Sequence, residues 1–169
     1  MKKNLKMALL ANFLAIAIVL NIIESYVPII PVPGAKLGFA NIVTLIILYG
    51  YSFKDSFLVS MSRVFLVSVL TARFLAPTFY MSMSGAIVSI VVMQLFKKLN
   101  FFSVLGVSVL GSFFHAIGQI IAGVFVIGTT AVIAYLPIML FLSIPAGALT
   151  GLIAQRFLAV WQTLDRQIG

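Results

Sequence analysis

The chain of 169 residues has no cysteine, one histidine and three acidic residues. Each shortage removes a class of chemistry. Without cysteine there is no disulfide framework, no thiolate nucleophile, no Cys-ligated zinc and no iron–sulfur cluster. The lone His115 rules out a multi-histidine metal site, so no metal is expected. Asp55 and Asp165 fall at helix ends, which leaves no Ser/His/acid trio with its carboxylate at hand. No G-x-x-x-x-G-K-[ST] run is present, which excludes ATP hydrolysis by that route. Charged residues are only 8% of the chain, against about 25% in a soluble domain. What is abundant is apolar: 63% of residues are hydrophobic and the mean hydropathy is +1.23. This composition is that of an integral membrane protein, and no enzyme activity is expected of it.

A helix that crosses a bilayer needs ~20 apolar residues. Runs that approach this length lie at 7–27, 39–51, 56–75, 81–96, 102–127 and 131–160. They are too long, and too poor in alternation, for the strands of a lipid-embedded barrel. The sequence thus predicts an all-α bundle of six transmembrane helices in a single domain, 1–169. The second run is short for a crossing. The sixth holds Pro137 and Pro145 and is expected to kink or break. The segment Pro28–Lys36, with three prolines and Gly34, reads as a loop. Met1-Lys2-Lys3-Asn4-Leu5-Lys6 and the apolar run after it resemble a signal peptide. No small-x-small cleavage site follows, so the run reads as a retained first helix.

Six crossings put both termini on one side. Lys2, Lys3, Lys6, Lys54, Lys97, Lys98, Arg156 and Arg166 then share one set of helix ends. Lys36 and Arg73 occupy the other. Basic residues accumulate on the cytoplasmic side, so both termini are expected there. The net charge of +8 is on this reading an orientation signal, not a nucleic-acid footprint.

Polar residues within spans are costly and need a reason. Ala8, Ala11 and Ala15 recur at helical spacing beside Asn12, a flat face that suits either packing inside the bundle or the approach of another protein's helix. Ser56, Ser60 and Arg63 share a face of the third span. Arg63 lies roughly 11 Å in from Ser56 at 1.5 Å per residue. Its long side chain is open to two readings, snorkelling to the interface or pointing inward to an acid, a carbonyl or an anionic ligand. Arg73 is near the outer end and suits an interfacial anchor. Gly111, His115, Gly118, Gln119 and Ala122 form one stripe on the fifth span. There the glycines admit a close neighbour, and His115 and Gln119 offer hydrogen bonds one turn apart. A neutral His115 satisfied by an adjacent helix is the plainer alternative to a ligand contact. Glu24 either ends a solvated helix or pairs with Lys36 or Arg73 at the outer mouth.

Several segments together resemble one family. Glu24-Ser25-Tyr26-Val27-Pro28 precedes Pro33-Gly34-Ala35-Lys36-Leu37-Gly38-Phe39-Ala40-Asn41-Ile42-Val43, which is similar to the PGxKLGxANIV signature of the Gx transporter family, often labelled heptaprenyl diphosphate synthase component I. Arg63-Val64-Phe65-Leu66, Ser84-Gly85-Ala86-Ile87-Val88-Ser89, Gly106-Val107-Ser108-Val109-Leu110-Gly111, His115-Ala116-Ile117-Gly118-Gln119 and Tyr135-Leu136-Pro137 extend the likeness from about Met7 to Ala159. One departure is Ala116, where the family usually has Asn; this puts in doubt any ligand contact made by that Asn.

The family is in turn similar to the substrate-binding S components of energy-coupling-factor transporters. The resemblance implies a six-helix subunit of the bacterial plasma membrane, without its own ATPase and without a cofactor. It implies that Ala8, Ala11 and Ala15 dock on a transmembrane coupling subunit that carries two ATPases. It also implies a small-molecule site in the outer half, near Lys36, Asn41, Arg73, His115 and Gln119, to which the inward reading adds Arg63. A catalytic prenyl diphosphate synthase needs aspartate-rich motifs to hold magnesium and diphosphate, and two distant aspartates do not supply them. The alternative implied by the label is a non-catalytic membrane protein of isoprenoid or quinone metabolism, or of flavin-linked extracellular electron transfer.

Overall fold

A computed structural model describes residues 3–26 and 39–168. The described residues form helices α1 (Lys3–Tyr26), α2 (Phe39–Gly50), α3 (Phe53–Leu70), α4 (Pro77–Lys98), α5 (Val104–Ile127) and α6 (Leu136–Ile168), with a 3₁₀ turn at Thr130–Tyr135 leading into α6. Among them there is no strand. Four stretches are long and apolar enough to cross a membrane: Asn4–Ser25, Pro77–Lys98, Val104–Ile127 and Thr130–Trp161.

The helix ends follow local chemistry. Ser52 caps α3 by accepting from the Asp55 amide, and Ser103 caps α5 by accepting from Gly106. Pro77 sits in the first turn of α4, where its missing N–H costs nothing. Gly128, at φ 72°, ends α5 in the left-handed conformation. The third helix stops at Leu70 rather than reaching 75. Thr71 caps it, Ala72 and Leu75 take positive φ values of 53° and 61°, and the Arg73 amide turns back to the Ser68 carbonyl. Apolar residues at 72–75 had extended the run in sequence without supplying helix. The sixth run breaks beside Pro137, as expected, between the 3₁₀ turn and α6, but α6 continues through Pro145.

The short α2 is the centre of the bundle. Every residue from Ile42 to Leu48 is buried, and Leu45, Ile47 and Leu48 pack with Ile90, Met93 and Val107. A helix that is apolar on all sides belongs in an interior. Its 12 residues span ~18 Å, less than a hydrocarbon core of ~30 Å. At one end of the bundle, Lys97 Nζ donates to the Leu48 carbonyl at 2.6 Å and lies 4.9 Å from the Tyr49 ring centre. That cation stabilises the C-terminus of α2. At the same end Lys6 pairs with Asp55 at 2.7 Å, joining the start of α1 to the start of α3. Phe13, Tyr51, Phe157 and Trp161 stack there edge to face or tilted.

Helices α4, α5 and α6 form an antiparallel set held by small residues. A methyl group on Gly118 would lie 3.1 Å from the Gly85 Cα, and one on Gly147 would lie 2.7 Å from the Val109 Cα. Such close approach maximises van der Waals contact where water supplies no driving force. Ser84 Oγ donates to the Gly118 carbonyl at 3.0 Å, and the Ser108 and Thr150 hydroxyls bond at 2.8 Å.

Candidate functional site

The buried line of α1 runs Phe13, Ala17, Asn21, and Glu24 continues it three residues on. It is apolar toward the basic end of the bundle and polar at the other. The buried line of α3 is Ser56, Ser60 and Arg63, with Arg63 only 3% exposed. Ser56 Oγ donates to the Thr44 carbonyl of α2 at 2.7 Å, which fixes the rotation of α3 and turns Arg63 inward with it. Arg63 therefore does not snorkel. Glu24, half-buried on α1, is close enough for its charge to bear on Arg63. Asn21 belongs to this group at 7% exposure, and its carbonyl accepts from Ser25 Oγ at 2.8 Å. Asn21 did not stand out in the sequence. Its spacing of four from Ala17 and three from Glu24 is the signal that finds it.

A second polar group lies on the α4–α5 seam. Gln119 is buried at 3% and His115 is half-buried. A methyl group on Gly85 would stand 2.7 Å from Gln119 Cγ and 2.9 Å from the His115 carbonyl oxygen. The glycine, histidine and glutamine stripe of α5 is thus covered by α4, with Gly111 over Ser89 and Met93. Ala116 lies on a different face of α5, in an apolar cluster with Ile120, Val132 and Met139.

The other sequence candidates distribute differently. Asn41 is half-buried in the first turn of α2, three residues before the buried Thr44. Arg73 is exposed in the α3–α4 loop and is not gathered with the interior residues, because α3 ends before it. Lys36 lies outside the described residues. Ala8, Ala11 and Ala15 are exposed, with Asn12 exposed among them, while the opposite side of α1 faces the bundle. An open groove of about 390 Å³ runs along the α4–α5 seam near Tyr80, Ser84 and Phe125. Its lining carries no charged side chain, so any charged ligand is better served near Arg63. Among the described residues no group of three or more His, Asp or Glu side chains is placed to hold a metal ion.

The profile of one protein family, described as heptaprenyl diphosphate synthase component I, matches residues 13–157. That stretch covers all of α2 to α5 and the polar residues of both groups. No curated protein and no solved structure matches the chain.

Proposed function

Because the chain belongs to the heptaprenyl diphosphate synthase component I family, whose label names a component and not a catalyst, we propose that it is the non-catalytic, substrate-binding subunit of an importer in the plasma membrane. On this reading the six helices each cross or enter the bilayer, both termini are cytoplasmic, and a small molecule binds among the inward polar residues Asn41, Arg63, His115 and Gln119. A transmembrane coupling subunit with two ATPases supplies the energy. The likeness to S components of energy-coupling-factor transporters suggests this arrangement.

One observation carries the reading. The alanine face of α1 is left uncovered by the rest of the chain: Ala8, Ala11 and Ala15 are all exposed. Asn12 is exposed within the same face, where lipid would leave its amide without hydrogen-bond partners. A flat strip of small residues around one polar side chain suits a helix of another protein, which packs closely and satisfies the amide. The test is co-purification. Ala11→Leu/Ala15→Leu is expected to abolish capture of the coupling subunit while leaving the thermal unfolding profile intact, because neither side chain faces the core. Undiminished capture by the folded variant would sink the docking role.

A further inference from the structure

We propose that the groove between α4 and α5 holds one acyl chain of an anionic phospholipid, whose headgroup is met by Arg73. The inference goes beyond the importer reading and does not depend on it.

Helices α4 and α5 are both long and apolar enough to cross a membrane. Tyr80 lies one turn from the start of α4 and Val126 one residue before the end of α5, so the groove begins at the bundle end opposite Lys97 and Lys98. From Tyr80 to Val88 it follows α4 for ~12 Å. One leaflet of the hydrocarbon core is ~15 Å deep, half of ~30 Å. The groove thus runs through one leaflet and stops inside it, as a single hydrocarbon chain does and a crossing helix does not. Its volume of about 390 Å³ is at the low end for a small-ligand site and too little to seat a helix ~10–12 Å across.

The lining selects a chain without polar groups. Val88, Ala122 and Val126 are apolar, and the Ser84 hydroxyl already donates to the Gly118 carbonyl at 3.0 Å. Phe125, 82% exposed, is a projecting wall. Single exposed apolar residues are ordinary on a lipid-facing surface. A concave strip beside an aromatic wall gives a chain many more close contacts than a flat face does, and dispersion attraction grows with their number.

Arg73 supplies the charge. Its backbone is fixed: the N–H donates to the Ser68 carbonyl at 2.8 Å, and the carbonyl accepts from Ala76 at 3.1 Å. Its side chain is exposed, and among the described residues no hydrogen bond or ion pair engages it. The ring of the next residue, Phe74, lies 5.2 Å from that of Phe79, which lies 5.3 Å from that of Tyr80. A continuous row of rings therefore leads from the arginine to the mouth of the groove. Tyrosine side chains settle at the headgroup level of a bilayer, and a guanidinium there takes a phosphate through two parallel N–H donors. On the topology proposed above, this is the outer leaflet.

Full-length protein in detergent micelles tests this by native mass spectrometry, which counts bound lipids and copies of the chain. It is titrated with phosphatidylglycerol, phosphatidylcholine and sodium phosphate. One phosphatidylglycerol is expected to bind ahead of all others, about fivefold more tightly than phosphatidylcholine, the effect of one basic residue on an anionic headgroup. Arg73→Gln should bring the two lipids level, and Lys98→Gln, at the other end of α4, should leave the preference intact. Ala122→Phe fills the groove and should remove the first bound molecule of either lipid. If that variant fails to fold, Phe125→Ala, which lowers an exposed wall and spares the core, must weaken both lipids alike. The proposal is overturned if the unmodified chain shows no preference for phosphatidylglycerol, or if Arg73→Gln and Lys98→Gln reduce the preference equally. It is also overturned if the folded groove variant binds both lipids as the unmodified chain does, or if sodium phosphate displaces the first phosphatidylglycerol. A dimer that Ala122→Phe separates would give the groove to a second copy of the chain instead. No coupling subunit takes part, so failure here leaves the docking of α1 untouched, and failure of that docking leaves this site untouched.

Discussion

At Gly147 and Gly151 an added methyl group would meet the Cα atoms of Val109 and Leu105 at 2.7 and 2.8 Å. Backbone cannot swing aside, so α5 and α6 must separate to admit it. At Gly111 the nearest atoms are Met93 Cγ and Sδ at 2.5 and 2.7 Å, which belong to a flexible thioether side chain. Gly147→Ala and Gly151→Ala are therefore expected to destabilise the protein by about 1–3 kcal/mol each, the usual cost of overpacking, and Gly111→Ala by less. Reversible unfolding in mixed micelles measures the difference, and a larger loss for Gly111→Ala would contradict the distances. The sequence shows Gly111 in a stripe with Gly118 at helical spacing but does not say which helix covers it, because every apolar span offers an equivalent partner. Arg63 is a similar case. Its position on the Ser56 and Ser60 face is readable from spacing, whereas its inward direction depends on the Ser56 bond to the Thr44 carbonyl of α2, a partner on another helix.

The elements differ in how far their sequence determined them. Helices α1, α4 and α5 carry long apolar runs with their own caps or a flanking proline, and their extents lie close to those runs. Helix α3 starts at Phe53, three residues before its apolar run, where Ser52 caps it, and its end was not legible because left-handed Ala72 and Leu75 give no composition signal. Helix α2 looked too short for a crossing, and its shortness is explained by its place in the centre, which no local pattern reveals. Contacts between elements yield a prediction of their own at the Lys6–Asp55 clasp. Partial burial pushes the Asp55 carboxyl up, but hydrogen bonds from Lys6 and Ser52 and the Lys6 charge outweigh it and hold the group below its ordinary value of 3.8. A carboxylate whose pKa is depressed by folding contributes stability above its unfolded value and loses it as the pH falls through the folded one. Tm should therefore drop as the pH falls below about 3.8, and Asp55→Asn should drop less over the same range. The difference is expected to be small, since the pair is partly solvated. An identical acid response in Asp55→Asn would show that the clasp contributes nothing.

For the whole molecule, the question is which ends of the helices face the cytoplasm. Lys6, Asp55 and Lys97 lie at one end of the bundle, where α1 and α3 begin and α2 and α4 finish. Arg73, Gly128 and Thr129 lie past the opposite helix ends. The charge asymmetry counted along the sequence falls at two ends of one structure, and the proposed topology, by the positive-inside rule, puts the lysine-bearing end in the cytoplasm. The lack of cysteine makes this testable without background. Single substitutions Lys54→Cys, Lys98→Cys, Arg73→Cys and Thr129→Cys, exposed to a membrane-impermeant maleimide on right-side-out vesicles, should divide in two. Arg73→Cys and Thr129→Cys are expected to label at once, and Lys54→Cys and Lys98→Cys only after permeabilisation. Labelling of Lys98→Cys and Thr129→Cys from the same side would mean that α5 does not cross. Labelling of Lys54→Cys and Arg73→Cys together would remove α3 from the count instead. Helix α3 is the decisive case, because Arg63 lies in its middle and is enclosed by membrane only if that helix spans it.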